Sequence, residues 1–274
     1  MILNQDGEGK NRLIEEDGAI YQIVNIHRNG LATNSRPRIQ FAGDWLSEIG
    51  FISGALVQTL PESDGFVFNL CNENINYSEL YHATKEKGGT LIRLYVANQR
   101  TIQGPVLVTT GKHICSGGLK LGDMCIAKCE YGCIRVRKVK GNIRLIPVAR
   151  TKTPYTGEPI PMISLFGGWL NDIGFTRDTL MTVATEQSRI TITAYDKAVI
   201  YSEIVKYARQ NKMKLIQVST KYGEPLISIQ GSCAVQAGFG LGDIFAAEYE
   251  HGVIKLQKFD PNRFGFPEAE SPGN

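Results

Sequence analysis

Basic side chains gather in one short stretch of this chain: Arg135, Arg137, Lys138, Lys140 and Arg144, with Arg150 and Lys152 just beyond. Side chains alternate along a strand, so Arg135 and Arg137 share a face there. Such a face would neutralise several phosphates and give a salt-dependent grip on a polyanion. The same residues suit a solvated strand whose charges blunt a sheet edge, and both readings stay open. Acid–base chemistry has less to draw on. The four histidines, His27, His82, His113 and His251, fall at unrelated places. Glu130 and Glu250 each stand beside a glycine turn, where a charge-pairing or turn role outweighs that of a general base. Asp123 and Asp243 follow glycines and read as residues whose carboxylates close a turn.

The six cysteines include no C-x-x-C pair. They are expected to be reduced, buried thiols acting as small hydrophobes, with no metal site. No phosphate-binding loop of the G-x-x-x-x-G-K-[ST] type and no G-x-S-x-G elbow is present, and no cofactor is expected. Hydrophobic residues make up 42% and charged residues 21% of 274, a globular composition. The net charge of +3, from 30 basic and 27 acidic residues, is too small to identify a polyanion partner. No apolar run is long enough for a spanning helix and the first residues do not resemble a secretion signal, so a cytoplasmic location without membrane contact is expected.

The elements that must position these residues come from a repeat. Phe41-Ala42-Gly43-Asp44-Trp45-Leu46-Ser47-Glu48-Ile49-Gly50-Phe51 returns as Phe166-Gly167-Gly168-Trp169-Leu170-Asn171-Asp172-Ile173-Gly174-Phe175, an offset of 167 − 43 = 124 residues. Tyr77-Ser78-Glu79 and Tyr201-Ser202-Glu203 keep that register. Gly118-Leu119-Lys120-Leu121-Gly122-Asp123 returns as Gly238-Phe239-Gly240-Leu241-Gly242-Asp243, an offset of 243 − 123 = 120. The chain therefore reads as a tandem duplication. Each half looks doubled again, since Gly43 to Phe68 and Gly111 to Val136 share one plan: a strand, a short amphipathic turn closed by glycine, and a hairpin. Four hairpin modules are expected, opening near Ile39, Val106, Ile163 and Ile227. Asp44 is a candidate N-cap for the turn Trp45–Ile49, and Asp64-Gly65 a candidate hairpin turn. Trp45 and Trp169 are expected to be buried core anchors at matching places.

The expected fold is mainly β (α+β). Residues 1–36 are taken as an N-terminal extension with one strand, frayed to about Glu16. Residues 37–148 form a first double-module domain, 149–160 a proline-rich linker, 161–259 a second double-module domain and 260–274 a loose tail. Helices are expected from Tyr77 to Lys87 and from Tyr201 to about Lys212, one per domain. In the second domain the positions of Arg135, Arg137 and Lys138 hold Lys255, Gln257 and Lys258, so the second domain is expected to be poorer in charge.

The run Gly43-x-Trp45-Leu46-x-x-Ile49-Gly50-Phe51-x-x-Gly54 resembles the core of SymE-like toxins. The Gly118-Leu119-x-x-Gly122-Asp123 and Gly238-Phe239-x-x-Gly242-Asp243 runs look like the wider AbrB and MazE swapped-hairpin superfamily. Asp178 departs from the pattern where Gly54 stands, and the second and fourth modules lack the Trp-Leu pair. The resemblance implies two AbrB-like swapped-hairpin barrels, each a covalently joined pseudo-dimer with one inserted helix. It further implies nucleic-acid binding through basic residues, of which Arg135, Arg137, Lys138, Lys140, Arg144, Arg150 and Lys152 are the candidates. The leading expectation is a SymE-like protein that binds DNA or RNA, of toxin or regulator type and without enzymatic activity. An RNA-cleaving hydrolase of endoribonuclease toxin type is one alternative. A protein-interaction or antitoxin-like module is another, and homo-oligomerisation is open.

Overall fold

A computed structural model describes residues 13–16, 19–29, 36–72, 76–96, 104–152, 157–196, 198–260, 263 and 266. The chain divides into two compact units, one of Met1–Val139 with Pro261–Asn274, the other of Lys140–Asp260. Both are mainly β, with antiparallel sheets and short helices.

In the first unit the order is β1 (Leu13–Glu16), β2 (Ala19–Asn25), β3 (His27–Asn29), β4 (Arg36–Ala42), α1 (Trp45–Glu48), β5 (Leu56–Glu62), β6 (Gly65–Leu70), α2 (Tyr77–Glu86), β7 (Thr90–Arg93), β8 (Tyr95–Val96), β9 (Pro105–Thr110), α3 (Lys112–Ser116), β10 (Met124–Glu130) and β11 (Cys133–Lys138). One sheet runs β1-β2-β10-β11-β6-β5-β7 and the other β3-β4-β9-β8. Elements β2 to β6, taken with α1, correspond in order to β7 to β11 taken with α3. Strand β7 adds beside β5 as β2 adds beside β10, and β8 beside β9 as β3 beside β4. The registers are reciprocal: Ile39 faces Thr109 as Phe41 faces Leu107, and Gly65 faces Arg137 as Asn69 faces Cys133.

The second unit repeats this plan with β12 (Ile143–Pro147), β13 (Ala149–Lys152), β14 (Pro159–Phe166), α4 (Trp169–Asp172), β15 (Leu180–Glu186), β16 (Arg189–Ala194), α5 (Tyr201–Gln210), β17 (Lys214–Gln217), β18 (Ser219–Lys221), β19 (Glu224–Gln230), α6 (Ser232–Gln236), β20 (Ile244–Glu250) and β21 (Val253–Lys258). Its sheets run β12-β20-β21-β16-β15-β17 and β13-β14-β19-β18. None of the sheets closes into the expected barrels. The outer strands β2, β7, β12 and β17 extend the paired hairpins into open sheets.

The short helices all stop in the same way. The amide of Phe51 reaches back to Leu46 O (2.8 Å), Leu119 to Ile114 O (3.4 Å), Phe175 to Leu170 O (2.8 Å) and Phe239 to Ala234 O (2.9 Å). That bond wraps the chain through a left-handed residue, filled by Gly50, Gly118, Gly174 and Gly238. The apolar residue after each glycine is driven into the core, where all four are buried. Asp178, the departure from Gly54, takes the same left-handed conformation (φ 65°), which aspartate tolerates better than most side chains. Asp44 occupies the N-cap position of α1, yet its side chain makes no capping bond.

Several expected boundaries move. Strand β1 lies in the stretch expected to be frayed, and β2 starts at Ala19 as an integral strand beside β10. The expected linker at 149–160 carries β13 and the start of β14, paired from Ala149↔Met162 to Lys152↔Pro159. Strand β19 joins β14 only from Met162 onward, so Pro159 and Pro161 lie where the strand has one neighbour and their missing N–H groups cost little. The division between units falls instead between Val139 and Lys140. Trp45 is buried, whereas Trp169 is half-exposed: the Arg144 guanidinium covers its ring at 4.8 Å in place of a core side chain. In the tail expected to be loose, Phe266 is buried.

Gly65 separates steric from conformational need. A Cβ there would stand 1.9 Å from Val136 O, so β6 and β11 could not keep their spacing. At Gly54 a Cβ meets nothing within 4 Å, but φ is +83°. In urea unfolding Gly54→Ala should cost about 1–2 kcal/mol from strain alone. Gly65→Ala should cost more, about 3 kcal/mol, because strands must part; equal losses would overturn the distinction.

Candidate nucleic-acid interface

The candidate residues do not form one set. Arg135, Arg137 and Lys138 lie in the first unit, and Lys140, Arg144, Arg150 and Lys152 in the second. Arg135 and Arg137 point to the same side of β11, as alternation requires. In register with them on β10 are Lys128, opposite Arg135, and Ile126, opposite Arg137. Strand β2 completes the rows with Tyr21 opposite Lys128 and Ile23 opposite Ile126. The other side of β11 carries Ile134 and Val136 into the core.

Two of the cations on this face are paired: Arg135 Nε donates to Glu62 Oε1 at 3.2 Å and Lys128 Nζ lies 2.7 Å from Glu130 Oε1. Lys138, which alternation turns to the other side of β11, has its Nζ 2.8 Å from Asp123 Oδ1. The hydrogen bond to Glu130 raises the Lys128 pKa, so the lysine stays charged at neutral pH. Half-exposed pairs of this kind contribute about 0–1 kcal/mol each, so a phosphate can replace a carboxylate at little expense. Arg137 has no carboxylate partner among the described residues. Its guanidinium lies over the Phe266 ring at 5.5 Å, and its Nε is buried without a hydrogen bond.

In the second unit Arg144 stands on β12 opposite Ala247, with its guanidinium over Trp169. Arg150 and Lys152 are exposed on β13, opposite Pro161 and Pro159, and Lys140 is exposed ahead of β12. The face that matches Lys128, Arg135 and Arg137 holds Glu248, Lys255 and Gln257, with Gln257 Nε2 donating to Glu248 Oε1. Beside it is a depression of about 300 Å³ lined by Asn142, Tyr249, Glu250 and Lys255. On this face three cations in one unit answer to one cation and one anion in the other, but the second unit is not poorer in charge as a whole, since Lys140, Arg144, Arg150 and Lys152 belong to it.

Asp123 and Asp243 do close turns, each accepting a backbone N–H at 2.8 Å through Oδ2, from Lys120 and Gly240. Glu130 is held by Lys128, and the His251 ring lies against Gly174 at the end of α4. Burial and the neighbouring Lys85 charge lower the pKa of His113, leaving a neutral imidazole at pH 7. Among the described residues no three His, Cys, Asp or Glu side chains group to hold a metal ion, and no helix is long and apolar enough to cross a membrane. Sequence reasoning missed Lys128, Glu62, Tyr21 and Phe266. Glu62 had a signal, because it precedes its hairpin turn as Glu130 does; Phe266 had none.

Comparison with protein-family models, curated proteins and solved structures gave no match.

Cys125, Cys129 and Cys233 are buried, whereas Cys115 is exposed on α3, against the expectation of burial for all six. Burial, with the Asp123 charge adding to it, pushes the Cys125 thiol up to about 12 and also raises Cys129. Since the thiolate is the reactive form, a thiol reagent at pH 8 should label Cys115 first and reach Cys125 and Cys129 only after denaturation. Peptide mapping of the labelled protein checks this; early label on Cys125 would contradict the packing of β10.

Proposed function

We propose that the protein is a nucleic-acid-binding protein of the SymE-like kind, toxin or regulator, which holds phosphates without cleaving the strand. The observation that carries the reading is one face of β10 and β11, where Lys128 stands opposite Arg135 and Arg137 lies two residues along the same strand. The pairing of two like halves through β6 and β11 supports it too, because the AbrB-type resemblance implies interlocked hairpins; here both hairpins belong to one unit. Strands of this spacing bring cations about 5 Å apart across the ladder, close enough to span adjacent phosphates. Glu62 and Glu130 would be displaced as phosphate arrives. Arg150 and Lys152, on an exposed strand of the other unit, are the candidates for a second point of attachment.

Titrating the intact protein against labelled duplex DNA and single-stranded RNA at two salt concentrations tests the reading. Arg135→Ala with Arg137→Ala should weaken binding and flatten the salt dependence by roughly 0.7–0.9 log units for each phosphate no longer neutralised. Thermal unfolding should shift little for Arg135→Ala alone, since a half-exposed ion pair contributes little to stability, and more for Arg137→Ala, which uncovers Phe266. Strand loss on a gel would move the assignment to an endoribonuclease. No binding at low salt would leave a protein-interaction module.

A further inference from the structure

The C-terminal segment, which belongs to the first unit, sets one ring on this same face. Phe266 is 7% exposed, and its centroid lies 6.1 Å from that of Tyr21 at an interplanar angle of 52°. The Arg137 guanidinium covers it at 5.5 Å. Tyr21 is itself buried and heads the row that continues through Lys128 to Arg135. On the other side of Arg137 the register position is Gly65, which offers no side chain. A planar ring is thus held by an aromatic and a guanidinium, beside a line of cations.

Burial alone explains an apolar side chain at this point, but not why the guanidinium of Arg137 lies over it with Nε desolvated and unbonded. A π-face satisfies that arrangement by its quadrupole, and a nucleobase offers a π-face as phenylalanine does. We propose that the slot between Tyr21 and Arg137 is a stacking subsite for an unpaired base of single-stranded nucleic acid, and that Phe266 fills it when no ligand is bound. Bases in a duplex are stacked on one another and cannot enter, which fixes the ligand class. This inference rests on the phosphate-binding reading and adds a base-stacking interaction to it.

The test uses the full chain with Phe266→Leu, which keeps an apolar side chain and removes the ring. Affinity for a single-stranded RNA oligomer should rise about threefold to tenfold at fixed salt, the size of one cation–π interaction. The salt slope should not change, because the phosphate-neutralising cations are all kept, and duplex affinity should stay as it was. If Phe266→Leu binds as the wild type does while Arg135→Ala with Arg137→Ala still weakens binding, the slot is wrong and the phosphate face survives. If neither protein binds any nucleic acid, both fall. Should Phe266→Leu fail to fold, the wild type answers alone: an oligomer carrying 2-aminopurine should be quenched at saturation. Unquenched emission from a fully bound oligomer would overturn the subsite.

Discussion

Each unit depends on a hairpin tip of one half giving its amide to the carbonyl that ends the short helix of the other half. Gly132 N–H reaches Ile49 O at 2.8 Å, Gly252 reaches Ile173 O at 2.7 Å, and Ser188 reaches Ala237 O at 3.2 Å. A helix end leaves carbonyls without partners, and leaving one buried and unbonded costs about 1–3 kcal/mol. The tip must turn sharply to deliver its N–H, which is why Asp64, Gly132, Ser188 and Gly252 all sit at φ between 61° and 73°. Neither half can satisfy its own helix. The same lock brings the rings of Tyr131 and His251 against Gly50 and Gly174, where a Cβ would crowd them at 3.1–3.3 Å.

That lock explains what the sequence made legible. Glycines recur where each of the four short helices stops and at two of the four hairpin tips, so the repeat, the hairpins and the helix ends could be read from spacing. What failed was the reading of elements that carry no such constraint. Strands β2 and β12 add to equivalent edges of their sheets, yet share almost no residues: Gln22 faces Ala127 where Arg144 faces Ala247. Gln22 is fully buried with neither amide atom bonded, whereas Arg144 lies over an indole ring. A partner strand needs a backbone ladder and some apolar area, and many sequences provide both. The prolines at 159 and 161 misled for a related reason, since they suggest a linker unless one knows which side of the strand is unpaired.

The basic stretch was legible as charge but not as electrostatics. Arg135 and Glu62 are brought together by the pairing of two hairpins far apart in sequence, so no local window shows that the arginine is already answered. Two carboxylates temper three cations on this face of the first unit, and two of those cations are held by exchangeable partners. A bare cluster of the same residues would bind any polyanion and repel itself. The second unit has kept the fold and the turn aspartates while changing the charges, which separates what the architecture requires from what a ligand could require.

The chain crosses between its units twice, at Val139–Lys140 and at Asp260–Pro261, so the second unit is an insertion in the first. Synthesis runs from one end. All of β1 to β11 leaves the ribosome before Lys140, and Phe266 emerges only after the whole second unit has followed, a delay on the order of ten seconds at ordinary elongation rates. For that interval the nascent first unit lacks Phe266, the ring that lies under Arg137 in the finished chain, so the order in which residues are joined leaves the first unit incomplete until the second has been made.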